Sequence, residues 1–108
     1  MLDHESLDLL RDVMEDEFES LIELYITDSD ARFPQMRAEL AAGNSDALRN
    51  IVHSFKGASS NICAPALTKQ AQKIEHKARD GQLDGINSDI DALEVSYQQI
   101  RAELLTLL

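Results

Sequence analysis

Residues 44–62 read NSDALRNIVHSFKGASSNI. Leu48, Ile51, Val52, Phe55 and Ile62 recur at steps of three and four, with the small Ser59 in register, so they share one face of an α-helix. No alternation of period two competes with that pattern. The polar residues fall on the other side. His53 sits in the middle of that face, Lys56, Gly57 and Ser60 share it at i+3, i+4 and i+7, and Arg49 and Asn50 lie one turn earlier. Gly57 is the odd member, because glycine inside a helix costs roughly 1 kcal/mol relative to alanine.

The helical period continues outward in both directions. A short first helix is expected over residues 6–14, with Leu7, Leu10 and Met14 inward. A long second helix follows over residues 16–42, carrying Phe18, Ile22, Tyr25, Met36 and Leu40 on one stripe. Pro34 should kink it near Phe33, since proline removes a backbone donor and crowds the preceding turn. Gly43 closes that helix, and Asn44, Ser45 and Asp46 supply cap residues for the third. The pair Ala64-Pro65 ends the third and opens a fourth, with Pro65 near its first position. Leu67, Ala71, Ile74 and Ala78 form the fourth seam, and Gly81 ends it. The last helix spans residues 86–107, with Ile86, Ile90, Leu93, Tyr97, Ile100 and Leu104 inward. Four substantial helices joined by short loops imply an all-α, antiparallel four-helix bundle with a short extra N-terminal helix, one domain over residues 1–108.

Composition bounds the partners. A chain of 108 residues can close a single core without staples. Having two tyrosines, three phenylalanines and no tryptophan, it is expected to build that core from Leu, Ile, Val and Ala. The net charge of −10 argues against nucleic acid or an anionic membrane surface and favours protein partners. Cys63 is the only cysteine, which leaves no intrachain disulfide and no cysteine cage, and fits a reducing cytoplasm. No apolar run approaches the ~18 residues of a membrane span, and the acidic start MLDHESLDLL is unlike a signal peptide.

His53 is the chemically distinctive residue. A neutral imidazole offers one ring nitrogen as a nucleophile and can accept a phosphoryl group without an adjacent base. Lys56 leans back toward it, where an ammonium could neutralise phosphate oxygens, and Arg49 could assist from the other side. Gly57 leaves a notch beside the ring that suits close approach by a second protein. A solvated polar face that happens to hold a histidine explains the spacing equally well; the glycine is what speaks against it. His4, near a frayed terminus, and His76, beside the fourth helix's seam, read as surface histidines. No histidine has a glutamate three residues before it, which removes a bundle di-iron site. Cys63 lacks an activating motif and reads as a small core thiol.

The stretch HSFKGASSNICA resembles the H-x-x-K-G-[SA]-[SA]-x-x-[LI]-G-A signature of histidine-containing phosphotransfer (HPt) domains of bacterial two-component phosphorelays. The likeness covers nearly the whole chain. LTKQAQKIEHKARDG is similar to the family's L-x(3)-A/C-x(2)-L-E-x(2)-A-R-x-G pattern, LYITDSDARFPQMRAEL to its second helix, and DALRNIVHSFKG to the run before the histidine. A histidine-kinase dimerisation domain would place an acidic residue after the histidine, where this chain has Ser54. Cys63 departs from the family, which has glycine there; a small residue near the helix end is the expected requirement.

The resemblance implies that His53 is phosphorylated, that Lys56 faces the phosphate, and that Gly57 clears space for a docking partner, with Arg49 and Ser60 beside them. It also implies that Glu75 orients the imidazole, although an i+4 pair of Glu75 with Arg79 on a solvated flank explains that residue as well. The implied function is a phosphoryl carrier between receiver-domain aspartates of a hybrid sensor kinase and a response regulator. It is no enzyme in the strict sense and has no cofactor of its own, the Mg²⁺ belonging to the receiver. The other open reading is a phosphorylation-independent bundle that binds a receiver or another signalling protein. A free-standing, monomeric, cytoplasmic protein is expected, since a capped helix follows Met1 directly and no linker trails the last helix.

Overall fold

Each amphipathic stretch forms a helix whose apolar stripe meets the others in one core. The computed structural model describes residues 2–108. Its elements are α1 (His4–Met14), a single 3₁₀ turn (Glu15–Glu17), α2 (Phe18–Ala41), α3 (Ser45–Asn61), α4 (Pro65–Arg79) and α5 (Ile86–Leu105). Helix α3 adjoins α2 and α4, and α5 adjoins the same two, so the four long helices form a closed ring with α3 and α5 diagonal. The bundle measures 42 × 20 × 20 Å, and α1 packs on α2.

The inward residues of α3, α4 and α5 are the ones their periodicity selects: Leu48, Val52, Phe55 and Ser59; Leu67, Ala71, Ile74 and Ala78; Ile86 through Leu104. The core is nevertheless not purely aliphatic. Tyr25, Phe33, Phe55 and Tyr97 meet at its centre with ring centroids 5.3 to 6.3 Å apart. Few as they are, these aromatics all sit on inward stripes, so they cluster where the stripes converge.

Several boundaries depart from the expectation. Helix α1 starts at His4, because the Asp3 carboxylate accepts hydrogen bonds from Ser6 N at 3.2 Å and Ser6 Oγ at 2.8 Å. At that end His4 Nε2 lies 2.5 Å from Glu103 Oε1 on α5. Glu15 takes a left-handed φ of 49°, which stops α1, and α2 begins only at Phe18. Its span then runs through Pro34 to Ala41. Asn44 precedes α3 but makes no side-chain cap; its Nδ2 turns back to Glu39 Oε2 at 2.8 Å. Helix α5 ends at Leu105.

Helices α2, α3 and α4 end alike. In each, two backbone bonds close the last turn: Gly43 N to Leu40 O and Asn44 N to Glu39 O, Cys63 N to Ser60 O and Ala64 N to Ser59 O, Gly81 N to Ala78 O and Gln82 N to Lys77 O. This closure places one residue in the left-handed region, and φ is 73° at Gly43, 63° at Cys63 and 72° at Gly81. Cys63 therefore meets a conformational demand that glycine meets at the other two helix ends. The thiol is half-buried at the edge of the core, and burial, helped by the charge of Asp3, raises its pKa. The carbonyl of Cys63 accepts from Asp3 N at 2.8 Å and so ties the chain's start to this turn.

Candidate functional site

His53 lies midway along α3 with its side chain 68% exposed. Helix α4 runs alongside and presents Glu75, whose side chain is only 13% exposed. Glu75 Oε2 stands 2.6 Å from His53 Nδ1, and Oε1 accepts from Lys56 Nζ at 2.9 Å. One carboxylate thus serves two side chains of the neighbouring helix, one oxygen each. Burial pushes the Glu75 carboxyl up, but the hydrogen bonds and charges of Lys56 and His53 outweigh it, and its pKa falls below the ordinary value. An ionised carboxylate can only accept, so Nδ1 carries the proton, and the lone pair of a neutral ring is at Nε2. No residue among those described bonds Nε2, and the exposed edge of the ring is free to meet a partner.

This arrangement changes two readings of the sequence. Glu75 is not a solvated flank paired with Arg79; Arg79 Nε instead reaches Asp80 Oδ1 at 3.3 Å. Lys56 is not on a freely exposed face, its side chain being 23% exposed and anchored to Glu75. Helix α4 lies against that flank of α3, and the shared carboxylate draws the ammonium across.

Arg49, Asn50, His53, Glu75 and Arg79 line one open groove of about 370 Å³. Two guanidinium groups therefore border the space beside the imidazole, where an anion's charge is favourably met. The spacing of α3 points to Arg49, one turn before His53, but not to Arg79, the arginine of the A-R-x-G motif, because periodicity within one helix does not show which residues of α4 face His53. Ser60 is not part of this groove. It lines a second one with Asp3, Ser6, Cys63, Pro65 and Lys69 at the far end of α3.

Gly57 stands one turn from His53 on the exposed surface, and a Cβ built there meets nothing within 4 Å. Its own neighbours therefore do not require glycine. Beneath the site, Ser59 Oγ and Tyr25 Oη are 2.8 Å apart in the core and pin α3 to α2. Burial, against the opposing hydrogen bonds, pushes the Tyr25 hydroxyl up to about 12, so it stays protonated. Among the described residues, no group of three or more His, Cys, Asp or Glu side chains is placed to hold a metal ion, and no helix is long and apolar enough to cross a membrane.

Comparisons with known proteins identify the family and the fold. The family model described as Hpt domain matches residues 20–103. The crystal structure of histidine-containing phosphotransfer protein B (HptB) from Pseudomonas aeruginosa PAO1 is similar at 36% identity over 97% of this chain and 91% of that one, with a TM-score of 0.94. No curated protein matched.

Proposed function

The chain belongs to the Hpt domain family, and on that premise we propose that it carries a phosphoryl group on His53 between receiver-domain aspartates of a hybrid sensor kinase and a response regulator. One observation carries the reading: a half-buried carboxylate holds Nδ1–H of an exposed imidazole and so leaves the lone pair on its outer nitrogen. In the forward step, Nε2 attacks the phosphorus of a receiver's aspartyl phosphate. The P–N bond forms as the bond from phosphorus to the aspartyl oxygen breaks, and the aspartate leaves as carboxylate. The ring gains positive charge, which Glu75 faces across the Nδ1–H bond. The proton stays between them, so the step needs no separate base.

Arg49 and Arg79 border the space the phosphoryl group enters and meet its charge from two sides. Lys56 has a double role: its bond to Glu75 helps keep that carboxylate ionised, and its position one turn from His53 keeps an ammonium near the phosphate. The Mg²⁺ and acidic pocket that activate the aspartyl phosphate belong to the receiver, and the domain acts as carrier rather than catalyst. Gly57 gives the receiver its close approach, and the domain works as a monomer.

Transfer from a panel of phosphorylated receiver domains tests the proposal, with His53→Gln as the control. The wild type should take up acid-labile, base-stable phosphate and pass it to a second receiver, while His53→Gln folds, binds and stays unlabelled. Signalling that survives in His53→Gln would make the chain a phosphorylation-independent adaptor.

A further inference from the structure

Charge is placed unevenly around His53. The chain carries 20 acids against 10 Lys and Arg, yet the groove of about 370 Å³ beside the imidazole is bordered by two arginines and one acid. Elsewhere Arg37, Lys56, Lys77 and Arg101 each pair with a carboxylate of a neighbouring helix. Arg49 has no such partner among the described residues, although it is half-buried. Arg79 bonds only Asp80, through Nε at 3.3 Å, and both its terminal nitrogens stay unbonded among the described residues. The acid of the groove, Glu75, turns one oxygen to His53 and the other to Lys56, so its charge is already met from the side of α3.

Unpaired guanidinium groups that border one space from two helices form a receptor for a tetrahedral oxyanion. Arg49 and Asn50 come from α3 and Arg79 from α4, so two planar forks and an amide reach the same volume from both walls. Bonds from the arginines to an oxyanion are charge-assisted, roughly twice as strong as neutral ones. Water competes for these exposed donors. The net charge of −10 also opposes an anion, although salt screens that repulsion beyond about 8 Å. Affinity is therefore on the order of 1 mM, at which the groove fills and empties with the level of free phosphate. Every donor belongs to this chain, so binding needs no receiver.

We propose that the groove between Arg49 and Arg79 binds free inorganic phosphate, and that bound phosphate blocks entry of the phosphoryl group to His53. The anion occupies the space that the oxygens of an incoming aspartyl phosphate must cross, so the two exclude each other. No covalent bond is made or broken in this step. Free phosphate thereby sets how readily the domain is charged. The competition rests on the carrier reading of His53.

Nitrogen–proton NMR of the whole domain, titrated with sodium phosphate at fixed mildly alkaline pH against sodium chloride at matched ionic strength, tests the binding. Phosphate should give saturable shifts at Arg49, Asn50, His53 and Arg79, half-complete at a concentration on the order of 1 mM, and chloride none. Arg49→Gln and Arg79→Gln should each weaken binding roughly tenfold, as loss of a charged hydrogen bond does. Lys73→Gln removes the same charge from an exposed position of α4 outside the groove and should bind like the wild type. Glycerol phosphate should bind no tighter; a monoester that bound roughly tenfold tighter would overturn free phosphate as the ligand. Transfer from a phosphorylated receiver is then followed with and without phosphate. Phosphate should raise the half-saturating receiver concentration and leave the rate at saturation unchanged. That inhibition should shrink in Arg49→Gln and persist in Lys73→Gln. Linear shifts shared with chloride, or saturable binding that survives both arginine variants, overturn the site. Binding without competition overturns the block and leaves the carrier reading standing. A wild type that no receiver labels refutes the carrier reading, and the competition with it.

Discussion

Replacing Cys63 by glycine should stabilise the domain. Cys63 closes α3 at φ 63°, in the region where Gly43 and Gly81 close α2 and α4. A side chain with a Cβ pays roughly 1–2 kcal/mol there, from the clash of Cβ with the following carbonyl. Glycine removes that strain but has more freedom to lose on folding, about 0.5–1 kcal/mol. Losing the half-buried Sγ trims the gain a little further. The net is about 0.5–1 kcal/mol in favour of Cys63→Gly, or roughly 3–6 °C in thermal midpoint for a domain of this size. Cys63→Ala keeps the Cβ and the strain while losing the sulfur, so it should be no more stable than the wild type. Thermal and urea unfolding of the three proteins, followed by circular dichroism, separates the two requirements. If alanine stabilised the domain as much as glycine, size would be the need at this turn, and the conformational account would be wrong.

Other expectations follow from the same geometry. Gly57→Ala should raise stability by up to about 1 kcal/mol, since the methyl meets no neighbour, and urea unfolding checks it; Gly57→Gln should fold yet slow transfer from the receiver. Lys56→Ala should cost about 1 kcal/mol, more than a fully exposed pair, because Glu75 keeps only one partner, and transfer assays should show a modest loss rather than abolition. The Glu75 pKa is depressed in the folded state, so its contribution is complete above the ordinary value of 4.5 and disappears as pH falls through the lower folded value. Unfolding measured across that acid window should show the stability gap between wild type and Glu75→Gln closing, whereas a gap that persists below it would place the stabilisation elsewhere.

Much of the fold was legible because each helix announces its own inward face. Phe55 and Ile62 fix the face of α3, Pro65 marks the start of α4, and Gly43 and Gly81 mark two helix ends. These are local signals, decided within a turn or two. What was illegible depends on a second helix. Nothing in the spacing of α3 shows that Lys56 would be drawn to Glu75, nor that Arg79 would share a groove with Arg49. The left-handed turn at Cys63 was hidden for another reason: a cysteine gives no sign of φ, and only the parallel with the two glycine-closed helices reveals it. Asn44 misled because a good capping residue had a better partner in Glu39. The aromatic centre is hidden in the composition because five aromatics are few, yet Phe33, Phe55 and Tyr97 converge from three different helices.

The central claim concerns one atom. After transfer from a phosphorylated receiver, nitrogen NMR of the labelled imidazole tells which ring nitrogen bears phosphorus. Glu75 at 2.6 Å from Nδ1 predicts phosphorus on Nε2 of His53, with the Nδ1 proton retained and shifted by its carboxylate partner. Phosphorus on Nδ1, or on His4 or His76 in place of His53, would contradict the account.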